Sequence, residues 1–444
     1  MKKLLYIIFI SIFSLSCLFS CSKNTTLLNK KNPVTLTMWH VYGEQVDSPM
    51  NKYIECFNQT VGKDKGIIIN VTLISNANAI GKKLLEAQSN KAGLPDMPDL
   101  FFCHNSNAQS LGIENLINWY DMLTKAEIDN FIDDFISDGI IDKSLSVLPT
   151  SKSTNLLFIA GNVFDRFASN YNITYDSLDT WDSFFEVAEK YYNWSGGKPF
   201  CAIDYLLQCV ELNAISKGAT NFYTSNGWYD FDNEILMKSF LQFASAIAKG
   251  HIIVSDLYAN TQIMTGQVIA GIGSSASILY YNDKITYPDN TFEDINLQIH
   301  TLPQSKKETT NYSYQSGVGL CGYKTTNKKA EAMTVFARWF TQKQRNLDFV
   351  TSTGYMPVLK NSFNDISNYN FISNSYKNLY FTLEKTINNC TLLPLKNIPY
   401  LNQNTDALYK NIRSFQNNLK NKYSSGFNSN DLTQELKNIF ISIK

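Results

Sequence analysis

From Val34 onward, short apolar runs alternate with segments whose apolar positions recur every three or four residues. Val34 to Trp39 predicts a strand, and His40 to Pro49 a loop after it. Met50, Tyr53, Ile54 and Phe57 share one helical face, until Gly66 breaks the pattern before a second strand, Ile67 to Ile74. A helix over 78–89 carries Leu84 and Leu85, and Pro95 and Pro98 turn the chain into a third strand, Leu100 to Cys103. This alternation predicts a parallel sheet covered by helices. The loops beginning at His40 and His104 then lie side by side at its carboxyl rim, where open sheets bind ligands.

Leu145 to Thr150 and the Thr-Ser-Lys-Ser-Thr run at 150–154 read as a crossing into a second lobe. There Leu156 to Ile159 predicts a strand. Thr180 caps a helix running through Trp181, Phe184, Phe185 and Ala188, and Leu236 to Lys249 forms another. Residues 263–277 end in Gly271, Gly273, Ser274, Ser275, Ala276 and Ser277. Such small residues suit either a ligand loop offering amide donors or tight strand packing. Gly317 to Tyr323 reads as a strand returning to the first lobe. Ala330 to Phe340 reads as an amphipathic helix with Met333, Phe336, Ala337 and Phe340 on one face. No internal repeat is present.

The leader changes the picture. Lys2 and Lys3 precede a mostly apolar stretch over 4–19, and Leu18-Phe19-Ser20 leads directly to Cys21. A basic start, an apolar core and a small residue before a cysteine describe a lipoprotein export signal, removed over 1–20, with Cys21 acylated. The competing reading is an uncleaved anchor, which 16 or so apolar residues only just suffice to build (~1.5 Å of rise each). Residues 21–33 are polar and read as a flexible tether. The working part is therefore expected on the extracytoplasmic face of the cell membrane, lipid-anchored, away from intracellular ATP and NADH.

Charge and cysteine usage exclude more. Lys+Arg and Asp+Glu balance at 39 each, and losing Lys2 and Lys3 leaves a slightly acidic chain without the basic face that nucleic acid needs. After Cys17 is removed and Cys21 lipidated, six scattered cysteines remain, with no CxxC or zinc spacing. Cys201 and Cys209 can pair in an oxidising compartment or stand as buried thiols. His40, His104, His251 and His300 are far apart, so no metal site or cofactor is expected. No nucleophile elbow or phosphate loop occurs either, so the reading is not an enzyme. The 25 Tyr and 28 Phe residues can fill cores or stack on a ligand.

Val34 to His40 resembles the opening of family 1 extracellular solute-binding proteins of sugar-type ABC importers. Pro98 to Phe101 is similar to their third strand, Ser151 to Phe158 to their first crossover, and Gly266 to Ala270 to the next signature. Phe336 to Thr341 followed by Ser352 to Val358 is the most specific match, and the likeness runs in order over 34–420. It implies an α/β, two-lobed periplasmic-binding-protein-like fold (type II) with a hinge between lobes. Lobe 1 would be 34–150 plus 318–365, and lobe 2 would be 151–317 plus 366–444. The chain would be a monomer working with ABC permease subunits by ligand-driven domain closure.

Ligand would lie between the lobes. The candidates are His40 and Glu44 after the first strand, and Asn105 after the third, whose amide both donates and accepts. Ser153 lies at the crossover, Asp204 and Tyr205 before a second-lobe helix, Ser275 in the small-residue run, and Gly317 at the return. Tyr355 stands where relatives aim an aromatic ring at the ligand. Trp228 follows Asn226-Gly227, a hairpin signal that makes it peripheral. Glycerol-3-phosphate- and maltose-binding members share several of these features. The phosphate binders, by the resemblance, use an arginine after an Asn-x-Pro element. Here Asn402 falls at that position, after Asn397 to Pro399. They also carry a tyrosine where this chain has His104-Asn105. A dianion without a charged fork loses much of its binding energy, so a neutral sugar or oligosaccharide is favoured over a phosphorylated polyol. A binding lipoprotein serving a sensor would share these features, and so would an exported carbohydrate-active enzyme built on the same two-lobed scaffold.

Overall fold

The computed structural model describes residues 26–42, 48–77, 79–305, 310–398 and 400–424, with isolated positions beyond. The leader, Cys21 and Glu44 lie outside them. The first lobe opens with β1 (Val34–His40), α1 (Pro49–Phe57), β2 (Ile67–Ile74), α2 (Ile80–Gln88), β3 (Leu100–Cys103) and α3 (Asn105–Leu111). Pro49 starts α1 at a position whose N–H has no helical partner to lose. A single π-helical turn, Asn58–Gly62, follows α1. The chain then reverses at Gly66, in the left-handed region at φ 74°.

Next come α4 (Asp133–Asp138), β4 (Leu148–Pro149), β5 (Asn155–Ala160), α5 (Trp181–Trp194), β6 (Cys201–Ile203) and α6 (Leu206–Ser216). The chain continues through α7 (Glu234–Ala248), β7 (Ile252–Ile253), α8 (Ala259–Met264), β8 (Ala270–Ser274), β9 (Leu297–His300), β10 (Asn311–Gln315) and β11 (Gly319–Gly322). It closes with α9 (Asn327–Phe340), α10 (Lys343–Thr351), α11 (Asn374–Asn389), β12 (Cys390–Pro394) and α12 (Leu401–Ser424).

Two five-stranded sheets result, ordered β2-β1-β3-β11-β4 and β9-β5-β8-β6-β7. The first three strands are parallel, as the alternation predicts. β11 and β4 are not: β11 pairs antiparallel with both β3 and β4, which makes the sheet mixed. The cause is topological. The chain re-enters lobe 1 at the carboxyl rim of β3, so its strand must run down the sheet. The second sheet is mixed too, with β8 antiparallel to β5 and parallel to β6.

Strand alternation separates two cores. Leu36, Met38, Leu100 and Phe102 join the main core, whereas Trp39, Phe101 and Cys103 face the opposite layer with Ile80 and Leu84 of α2. Phe336, Ala337 and Phe340 of α9 are buried, as their spacing requires. β2 is an edge strand. There the Asn58 side-chain amide donates to the Ile69 carbonyl and its oxygen accepts from the Ile69 N–H, both at 2.8 Å.

Residues 26–33 do not hang loose. Glu331 of α9 accepts from the Thr26 hydroxyl at 2.6 Å and from the Leu27 N–H at 2.8 Å. Lys328 donates to the Asn32 carbonyl at 2.9 Å. The Asn29 carbonyl lies so close to Gly66 that a Cβ there would stand 2.3 Å away. Among the described residues no helix is long and apolar enough to cross a membrane.

Candidate functional site

Three segments meet where the lobes join: 150–154, 313–318 and 353–356. Lys152 exchanges backbone hydrogen bonds with Met356, and Ser153 with Ser316, the latter pair at 2.9 Å each way. Gly317 makes this approach possible. Its φ is +116°, and a Cβ there would lie 2.9 Å from the Ser151 carbonyl. On the lobe 2 side the Ser275 N–H donates to the Thr154 carbonyl at 2.8 Å, and the Thr154 and Ser313 hydroxyls bond at 2.6 Å. Gly354 lets the third segment pass over Ser275, whose carbonyl would be 2.9 Å from an added Cβ.

Tyr42, just past β1, ties the rim to this junction. Its hydroxyl bonds the Ser151 hydroxyl at 2.9 Å, and its ring meets that of Tyr355 edge-on with centroids 6.0 Å apart. Burial pushes the Tyr42 phenol up to about 12. His40 holds the loop: Nδ1 accepts from the Tyr42 N–H at 3.2 Å, and Nε2 bonds Asn51 at 2.9 Å. Desolvation lowers its pKa, favouring the neutral ring.

The end of β3 is charged but internally matched. The Asn105 amide donates to the Asp138 carbonyl at 2.6 Å, and the Asp138 carboxylate pairs with Lys152. His104 sits against Lys152 and the Gly317 backbone. Burial first, then the Lys152 charge, lowers its pKa.

Across the junction, Asp204 follows β6. Its N–H donates to the Ile272 carbonyl at 3.0 Å, and Oδ1 accepts from the Ala259 N–H at 2.8 Å. Desolvation outweighs that hydrogen bond and raises the carboxyl to about 7. Tyr205, beside it, is pushed up to about 12, first by burial and then by the charges of Asp204 and Tyr258. Tyr258 and Tyr280 are exposed, and Tyr281 stacks on Phe158 with centroids 5.0 Å apart.

The structure thus joins His40, Asn105, Ser153, Ser275, Gly317 and Tyr355 through one chain of contacts. Asp204 and Tyr205 lie one strand over, against β8. Their exposures differ. His40, Ser153 and Ser275 are buried, whereas Asn105, Asp204, Tyr205, Gly317 and Tyr355 are half-buried. The Ser275 hydroxyl has no partner among the described residues. Asn402 is exposed in the first turn of α12 and is not a member of this chain of contacts.

Tyr42, Lys152, Asp138 and Tyr380 were not singled out by sequence. Tyr42 carried a usable signal, an aromatic just past a predicted strand. Lys152 sat in view within the crossover run. Tyr380 donates to the Tyr355 carbonyl at 2.7 Å from 25 residues away, which no local pattern announces. The hairpin before Trp228 is present, with Gly227 at φ 71° and Tyr223 bridged to Tyr229. Cys201 and Cys209 are buried free thiols. Cys103 and Cys321, on adjacent strands, bring their sulfurs within 3.7 Å. No group of His, Cys, Asp and Glu among the described residues is placed to hold a metal ion.

The molecule is a two-lobed α/β protein with buried polar residues of 150–154, 313–315 and Ser275 at its junction. Residues 52–373 match the family model of bacterial extracellular solute-binding proteins, and the chain belongs to that family. Solved structures share the fold at low identity. The cyclic alpha-maltosyl-1,6-maltose binding protein of Arthrobacter globiformis is 14% identical, covering 93% of this chain and 99% of its own, with a TM-score of 0.67. The sugar-binding protein MalE of Xanthomonas citri is also 14% identical, with 92% and 97% covered and a TM-score of 0.67. UgpB of Mycobacterium tuberculosis, solved with glycerophosphocholine, is 13% identical, with 93% and 98% covered and a TM-score of 0.68. A comparison with curated protein sequences finds no match.

Proposed function

We propose that this protein is the lipid-anchored receptor of an ABC importer. It captures a neutral sugar or oligosaccharide between its lobes and delivers it to a membrane permease. The lobes are 34–150 with 318–365 and 151–317 with 366–444, and ligand stabilises their closed arrangement through contacts to both. No bond in the ligand is made or broken.

The observation that carries the substrate class is the charge state of the junction. Its lysine, Lys152, is already matched by Asp138, and Asp204 on the facing side is a carboxyl held toward its neutral form. Amides, hydroxyls and tyrosine rings are left to meet a ligand, which suits a polyhydroxylated neutral molecule better than a phosphate dianion. Two of the relatives named above are described as binding maltose-type or other sugars, and one was solved with a glycerol phosphodiester.

A thermal-shift screen of the mature protein against sugars, polyols and glycerol phosphates tests this. Stabilisation by a sugar is expected. Stabilisation by a glycerol phosphate alone, or by nothing in the panel, rejects the substrate class. Turnover of any oligosaccharide rejects the receptor reading.

A further inference from the structure

We infer that the end of lobe 1 remote from the cleft is a membrane-facing surface, built to rest on anionic phospholipid headgroups. This rests on the lipid-anchor reading above and adds an orientation to it. The first observation is the seating of residues 26–33. Held by Glu331, Lys328 and the Gly66 turn, they are part of the folded lobe. Four residues separate Cys21 from Thr26, so the five steps reach about 18 Å at full extension. An acylated Cys21 therefore keeps this end of the lobe beside the bilayer.

The second observation is the chemistry of that end. Lys30, Lys31, Lys63 and Lys65 are all exposed there, on the seated segment and on the helical turn before Gly66. Asp64 lies 3.4 Å from Lys30 and Asp99 2.7 Å from Lys329, while Glu331 keeps its charge because the Thr26 hydroxyl and Leu27 N–H it holds are neutral; with Lys328 and Lys329, the six lysines named here outnumber these three carboxylates. Leu27 is half exposed on the same strip, an apolar side chain placed for the headgroup boundary. Clustered lysines beside a lipid anchor are attracted by anionic headgroups over a Debye length. The strip lies at the amino ends of β1, β2 and β3, opposite the rim that carries Tyr42 and Asn105. Resting on it leaves the junction uncovered.

The test is lysine footprinting of the full chain on vesicles of phosphatidylcholine alone and of phosphatidylcholine with one-third phosphatidylglycerol. An amine-reactive ester labels exposed lysines, and mass spectrometry reads each site. Labelling of Lys30, Lys31, Lys63 and Lys65 is expected to slow several-fold on the anionic vesicles and to recover in high salt. Lys238, exposed on lobe 2, should be unaffected. The combined variant Lys31→Glu, Lys63→Glu, Lys65→Glu should lose the lipid dependence of Lys30 labelling. Equal labelling on both vesicle types overturns the surface, whether or not Cys21 carries lipid. The mass of the N-terminal peptide from the same sample reports separately on the anchor.

Discussion

Lys152 and Asp138 meet in an ion pair whose lysine side chain is 4% exposed and whose carboxylate is 20% exposed. The lysine belongs to the strand segment that crosses between lobes, the aspartate to the end of α4, and the Asp138 carbonyl also accepts from Asn105. One pair therefore fixes both the crossover and the end of β3.

Breaking this pair from one side leaves a buried charge without its partner. Asp138→Asn should cost about 3 kcal/mol, in the range seen for such truncations. Combining it with Lys152→Met should return at least half of that loss, since the uncompensated charge is then gone. Urea denaturation of the two variants checks this; equal loss in both shows that the pair does not act as a unit.

Tyr355→Ala should weaken binding of the sugar found by the screen roughly tenfold or more, a loss near 1.4 kcal/mol or above. The fold should survive, because Tyr380 holds the backbone carbonyl of Tyr355 and not its ring. Titration calorimetry with a parallel melting curve separates the two effects. Unchanged affinity removes this ring from the site.

Asp204 should make stability fall as pH rises. Its carboxyl is raised from 3.8 to about 7 in the folded chain. Between those values the unfolded chain releases a proton that the folded chain keeps, so ionisation favours unfolding. The stability contribution is complete below about pH 4 and is lost through pH 7, with a total on the order of 4 kcal/mol. Asp204→Asn, which keeps an oxygen for the Ala259 N–H, should flatten that slope in denaturant midpoints measured from pH 4 to 8. Parallel slopes for both proteins would refute the raised carboxyl.

Gly317→Ala should destabilise by roughly 1–3 kcal/mol, since the left-handed backbone and the nearby Ser151 carbonyl both oppose a Cβ. The Ser153–Ser316 bridge beside it joins two of the segments that meet at the junction, so ligand affinity should fall as well. A variant as stable and as tight-binding as the parent would mean that the junction has room to spare.

How far the sequence reaches is visible residue by residue. Strand and helix positions follow from periodicity, so β1, β2, β3, α5 and α9 fall within a few residues of expectation. The rim candidates gather because strand ends converge whatever the details. The direction of β11 is not legible, since polarity along a chain carries no information about which end of a sheet it enters. Asp138 escapes notice because its partner lies 14 residues on, with three short strands between. The fastening of residues 26–33 escapes it too, because a polar segment with no periodicity looks the same free or bound, and Glu331 lies about 300 residues away.

The amide of Asn58 has a wider consequence. By occupying both backbone groups of Ile69, it denies a neighbouring molecule strand-to-strand addition at the middle of β2, an edge strand. Under the proposed lipid anchor, copies held side by side on a bilayer would meet far more often than in bulk solution. One carboxamide, presented by a single π-helical turn, would then help such copies stay separate.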